Sequence, residues 1–170
     1  MLRKTLTLAL SVAALSAHAG ELTRDEAKIA QTAKSMATLA DRNLFDALEQ
    51  IFTPTVIVDY TSAFGGEVST VKREDLMNNW EALLPGFDVT YHDLTNIDIE
   101  QTGNKAEVNA DIVASHHIGK DGFWQISGSY TFEMKKTDSD WQISSLTLNA
   151  GDEIGSREVL GQAIEAAKAK

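Results

Sequence analysis

The side chains whose types and placing suggest acid–base chemistry at one site are His92, the adjacent His116 and His117, Asp41 at the end of a helical pattern, and the tyrosines Tyr60, Tyr91 and Tyr130. Imidazole gains or loses its proton near neutral pH. A carboxylate held against one of its nitrogens fixes the tautomer and steadies the imidazolium. A phenol is a neutral donor suited to an oxygen on which charge develops. Elimination of water beside an activating group needs these three parts: a base for an acidic C–H, an acid for the departing hydroxyl, and a donor for the enolate oxygen. The plainer alternative is that His92 and His116 are satisfied polar members of a half-buried core, with Asp41 closing a helix.

The chain has no cysteine, so thiol nucleophiles, thiolate metal sites and disulfides are excluded. A metal site would need three or four converging ligands. His116 and His117 are neighbours on a strand and point to opposite faces, so no metal and no cofactor is expected.

Net charge limits partners as well. Arg3 and Lys4 precede an apolar run from Leu6 to Leu15, and Ala17-His18-Ala19 places small residues before a cleavage point, which predicts a signal peptide over residues 1–19 and a periplasmic or secreted protein. Removing that segment, which holds two basic and no acidic residues, moves the net charge from −10 to −12. So acidic a chain repels phosphate backbones and anionic headgroups, and neither nucleic acid nor membrane is an expected partner.

The elements that must position these residues follow from periodicity. Ile29, Ala33, Met36, Ala37 and Ala40 recur at helical spacing, with Thr23 and Glu26 forming a capping box at the start. Leu44, Phe45, Leu48, Ile51 and Phe52 predict a second helix ending near Thr53, before Pro54. Val56–Tyr60 reads as a strand and Phe64-Gly65-Gly66 as a loop. A third helix is predicted from Thr70 or Val71, carrying Leu76, Trp80, Leu83 and Leu84 up to Pro85-Gly86. Four long strands then follow, Val89–Gln101, Lys105–Ile118, Phe123–Lys136 and Trp141–Asn149, with turns at Gly103-Asn104, Lys120–Gly122 and Thr137–Asp140. Ser156 caps a closing helix. This order predicts an α+β fold with helices on one face of an antiparallel sheet.

Strand parity assigns the histidines. In Ala106–Ile118 the even positions are apolar apart from His116, which therefore faces the core, while His117 faces solvent. In the next strand Trp124, Ile126, Tyr130, Phe132 and Met134 share the inner face. Small residues at Ala110, Ala114 and Gly128 beside these aromatics leave room for a cavity. His92 shares a face with Leu94, whereas Ile97 and Ile99 lie on the other, so a bulge is expected between His92 and Ile97.

The segments Asp41-Arg42-Asn43-Leu44-Phe45-Asp46-Ala47-Leu48, Pro54 to Tyr60, Tyr91-His92, Ala114-Ser115-His116, Gly128-Ser129-Tyr130 and Asp140–Ile143 resemble the SnoaL-like branch of the NTF2-like superfamily. The likeness is greatest to its scytalone dehydratase-like and bile acid 7α-dehydratase-like group. The resemblance implies a cone, a curved antiparallel or mixed sheet wrapped around N-terminal helices, with an internal pocket. Residues 20–155 would form this domain and 156–170 a helical tail. It places Asp41, His92, His116 and Tyr60 in catalytic positions; from the residues themselves, Tyr130, Trp80, Tyr91, Trp124 and Phe132 are expected around the substrate.

The related dehydratases carry a tyrosine just before the aspartate, where this chain has Ala40. Two functions therefore stand side by side. One is a cofactor-independent lyase or isomerase acting on a small hydrophobic hydroxylated or carbonyl compound. The other is a non-catalytic module that binds a small ligand in the same pocket, a reading favoured by Ala40. A third is an interaction domain forming a homodimer through the outer sheet face.

Overall fold

The computed structural model describes residues 22–138 and 140–170. The expected signal peptide and its cleavage point lie outside the described residues. Helix α1 (Arg24–Asp41) opens with the predicted capping box: Thr23 Oγ1 accepts the Glu26 amide at 3.1 Å, and the Glu26 carboxylate accepts the Thr23 amide at 2.7 Å. Its buried stripe is Ile29, Ala33, Met36, Ala37 and Ala40. Three alanines in that stripe let the helix lie close against the sheet. Lys136 Nζ to Asp25 at 2.6 Å and the Thr32 hydroxyl to the Trp141 carbonyl at 3.2 Å pin its first half to the sheet.

Helix α2 (Phe45–Gln50) is shorter than its periodicity predicts, because Phe52 already belongs to strand β1 (Phe52–Asp59). Phe52 is fully buried and meets Trp80 edge-on at 5.8 Å, while the Ile51 carbonyl accepts the Ile143 amide. Packing on the sheet outweighs helical continuation here. Pro54 is tolerated inside β1 because the register against the neighbouring strand shifts between Phe52 and Ile57, where a missing N–H is not needed.

A one-turn helix α3 (Thr61–Phe64) replaces the expected plain loop; Asp59 Oδ1 accepts both the amide and the hydroxyl of Thr61 and starts it. Thr70 and Val71, where the third helix is predicted to begin, instead lie in edge strand β2 (Ser69–Lys72), with Val71 opposite Val56. The β-branched pair Thr70-Val71 favours this pairing. Helix α4 (Arg73–Glu81) and a 3-10 turn (Leu84–Gly86) follow.

Strands β3 (Val89–Thr102), β4 (Lys105–Ile118), β5 (Gly122–Thr137) and β6 (Asp140–Gly155) form the expected meander. The sheet order is β2-β1-β6-β5-β4-β3, with β1 parallel to β6 and every other pair antiparallel. This mixed, curved, unclosed sheet carrying helices on its concave side is the cone that the resemblance implies.

Three irregularities shape it. The bulge expected between His92 and Ile97 lies between Thr95 and Asp98, with Asn96 at φ 49° and its amide donating to Asp111 at 2.7 Å. It lets Leu94 before it and Ile97 and Ile99 after it all pack inward. Ser144 bulges β6 opposite Glu133 and Met134, so that Ile143 and Leu146 share the core face. At Gly128 a Cβ would stand 2.1 Å from the Asn149 carbonyl, so only glycine allows the close approach of β5 and β6 next to the bulge there.

Helix α5 (Glu158–Ala167) docks rather than trails: Val159 and Ala163 are buried, and Ser156 Oγ accepts the Glu158 amide at its start.

Candidate active site

Asp41 is the last residue of α1, where the helix dipole disfavours negative charge and where no basic residue occupies the last turn. Its compensation comes from β3. Asp41 Oδ1 lies 2.6 Å from His92 Nδ1 and accepts the Thr90 hydroxyl at 2.9 Å, and Asp41 Oδ2 accepts the His92 amide at 2.9 Å. Burial alone raises the Asp41 pKa; the His92 ring and its charge, the His92 amide and the Thr90 hydroxyl outweigh it and hold the carboxyl below its usual range. Thr90 and His92 reach one carboxylate because residues two apart on a strand share a face.

With Nδ1 donating to Asp41, His92 offers Nε2 to the interior. There it lines a cavity with about 110 Å³ of free space, together with Ala40, Tyr60, Trp80, His116, Trp124 and Tyr130 among others. The His116 ring stands edge-on to His92 with centroids 5.3 Å apart and stacks against Trp124 at 4.8 Å. His116 is only 5% exposed, and its Nδ1 has no hydrogen-bond partner. Burial first, then the neighbouring His92, pushes its pKa down to about 4. The imidazole is thus neutral at neutral pH. The neutral ring carries one N–H and can donate one hydrogen bond.

Tyr60 follows β1 and Tyr130 lies on β5, and the two phenols oppose one another. Burial raises the pKa of both, to about 12 for Tyr130; the adjacent Tyr130 adds to the rise at Tyr60, and the Trp80 indole moderates it. Both therefore remain protonated donors at neutral pH.

Of the residues expected around the substrate, Tyr130, Trp80 and Trp124 line the cavity. Tyr91 and Phe132 do not. Tyr91 is 59% exposed, since its odd position on β3 turns it to an outer groove beside Asp41, Arg42 and Thr90. Phe132 is fully buried one strand pair beyond Tyr130, which it contacts at 5.4 Å, and fills the core instead. His117 is exposed and stacks on Phe123, as its parity predicts.

Further wall residues, not expected around the substrate, are Phe64 on α3, Leu83 and Leu84 after α4, and Leu160 on α5. Glu153 was also missed. Its carboxylate accepts the Trp124 indole N–H at 2.9 Å and pairs with Arg157, whose guanidinium lies over the rings of Phe64 and Trp124. Among the described residues no three His, Asp or Glu side chains converge to hold a metal ion, and no helix is long and apolar enough to cross a membrane.

Comparison with known proteins places this geometry. The model of the SnoaL-like domain family matches residues 21–147. No curated protein matches the chain by sequence. Among solved structures, the Kfla4162 protein of Kribbella flavida superposes with a TM-score of 0.74 at 24% identity, over 85% of this chain and 97% of that one. A candidate scytalone dehydratase from Novosphingobium aromaticivorans gives 0.68 at 21% identity, over 77% and 87%. A hexachlorocyclohexane dehydrochlorinase from Novosphingobium barchaimii gives 0.62 at 19%, over 77% and 89%. Fold and family model agree, and the chain belongs to the SnoaL-like domain family, on an NTF2-like scaffold.

Proposed function

We propose that this protein is a cofactor-independent lyase that eliminates water, or a comparable small leaving group, from a small hydrophobic hydroxylated carbonyl compound, acting after export. The observation that carries the reading is the Asp41–His92 contact at 2.6 Å with His92 at the wall of a largely apolar cavity. His92 Nε2 takes the proton from the carbon next to the carbonyl, and the C–H electron pair becomes the new C=C bond. The C–O bond breaks with its pair going to the hydroxyl, which receives the proton back from the His92 imidazolium and leaves as water. Asp41 stabilises that imidazolium. Tyr60 and Tyr130 donate to the carbonyl oxygen as enolate charge develops. His116, held neutral, donates a hydrogen bond rather than a full proton, so a single imidazole acts as base and then acid. Two of the similar structures are named for eliminations, one a dehydratase candidate and one a dehydrochlorinase.

The test is to incubate the protein with a panel of cyclic β-hydroxy ketones in deuterium oxide and follow loss of water and deuterium uptake by NMR. Turnover of a panel member should fall by orders of magnitude in His92→Gln; equal turnover in that variant rejects the dyad. The second reading, a ligand-binding module, is favoured by Ala40, which leaves the cavity wall without a phenol beside Asp41. It predicts binding of panel members with neither water loss nor deuterium uptake.

A further inference from the structure

We infer that the cavity accepts an uncharged molecule no larger than one six-membered ring with small substituents, and that Leu160, carried in from the C-terminal helix, sets the size limit. The inference names the substrate class of the site proposed above and rests on that reading only for the chemistry, not for the binding.

Charge comes first. None of the lining residues is Asp, Glu, Lys or Arg. The ionisable groups on the wall are two imidazoles and two phenols; burial keeps both phenols and His116 neutral at neutral pH, and His92 is already matched to Asp41. Arg157 covers the rings of Phe64 and Trp124, but its charge is answered by Glu153. A carboxylate or phosphate entering this space would lose its water without gaining a counter-charge, which costs several kcal/mol.

Size follows from volume and from which walls are fixed. A cavity of about 150 Å³ holds benzene, whereas pockets for drug-sized ligands run from about 300 Å³ upward. The free space here is about 110 Å³, nearer the first figure, and the pocket is half open, so one ring fills it and small substituents lie toward its mouth. Trp124 is held by Glu153 and His116 by its strand, so neither side yields readily. Leu160 sits on α5, and α5 is seated directly on backbone: a Cβ at Gly86 would lie 1.8 Å from the Ala163 carbonyl. The helix therefore brings Leu160 to a fixed depth. Aromatic walls at Tyr60, Trp80 and Trp124 suit a flat ring.

The test titrates isotope-labelled full-length protein at pH 7.5 with phenol, 2-naphthol, benzamide and benzoate, following the indole N–H signals of Trp80 and Trp124. Benzamide and benzoate match in size and differ in charge, while phenol and 2-naphthol differ by one ring. Benzoate should bind at least tenfold more weakly than benzamide, and 2-naphthol at least tenfold more weakly than phenol despite its larger apolar surface. A smaller gap overturns the charge limit in the first pair and the size limit in the second, and absence of phenol binding overturns both. Leu160→Ala should gain at least tenfold for 2-naphthol, with Leu160→Val read in its place if the alanine variant loses its far-UV ellipticity; a smaller gain removes Leu160 from the role. None of the probes has a leaving group, so the ranking is read independently of turnover. An intact ranking in a native protein that eliminates water from no panel member rejects the catalytic reading alone.

Discussion

The Asp41 carboxylate engages His92 twice, through the ring at 2.6 Å and through the backbone amide at 2.9 Å, so the same residue that is oriented also fixes the carboxylate that orients it. Asp41→Asn keeps the shape but offers an amide N–H to Nδ1, which then must be the acceptor, and the ring proton moves to Nε2. The nitrogen facing the cavity changes from base to donor. Nitrogen-15 NMR should report the proton on Nδ1 of His92 in the native protein and on Nε2 in the variant. Turnover in the elimination assay should drop by about 10² to 10⁴, with the urea midpoint little changed.

His116 makes stability depend on pH in a definite window. The unfolded chain protonates this imidazole near pH 6.5, and the folded one not until about pH 4. Between those values the unfolded state binds more protons, so stability falls as the pH falls, by an amount on the order of 3 kcal/mol over the whole window. Asp41 acts lower: its depressed pKa contributes stability that is present above pH 3.8 and lost as the pH falls through its folded value. Urea titrations at pH 7.5, 5.5 and 4.5 should show the loss in the native protein and a flatter profile in His116→Phe. The phenylalanine also removes the unpartnered Nδ1, so at pH 4.5 the variant should be the more stable protein.

Alternation made the inner face of β4 and β5 readable, because one side packs on a core and the other meets water, and His116, Trp124 and Tyr130 fall where parity puts them. The bulge near His92 was legible as a conflict between Leu94 and Ile97. Phe132 lies on the inner face as parity puts it, but parity does not report depth along the strand, and it fills the core beyond the cavity; Tyr91 sits on the opposite parity from His92 and faces outward. Thr70–Lys72 read as the start of a helix because the four residues of β2 are too few for period two to show, and their pairing depends on β1, which no local pattern reports. Leu160 and Glu153 were out of reach for the same reason: each joins the site across the tertiary fold.

Glu153 holds Trp124, and Trp124 lies on His116, so a residue outside the cavity positions one within it. Arg157 first, then the Trp124 indole, lowers the Glu153 pKa to about 2, which keeps the anchor ionised throughout the neutral range. Glu153→Ala frees the indole to solvent and lets the ring shift. Tryptophan emission should move to longer wavelength, and turnover should fall about tenfold through misplacement. Glu153→Gln, which can still accept the indole N–H, should recover most of both.

The C-terminal helix is seated by a single glycine, and the sign of a methyl group added there is decided by what it meets. At Gly86 the backbone is not in the left-handed region, so conformational freedom is not the issue; the new Cβ would overlap the Ala163 carbonyl, which belongs to helix backbone and cannot swing aside. Gly86→Ala should therefore displace α5 and destabilise the protein by about 1 to 3 kcal/mol. At Gly161, on the same helix, an added Cβ meets nothing within 4 Å. Gly161→Ala should instead stabilise the helix by about 0.5 to 1 kcal/mol. Hydrogen exchange over residues 158–167 distinguishes the two, rising in the first variant and slowing in the second while the β4–β5 amides stay protected. Because Leu160 moves with α5, the Gly86 variant should also bind 2-naphthol more tightly than the native protein does, linking the seat of the helix to the size of what the cavity admits.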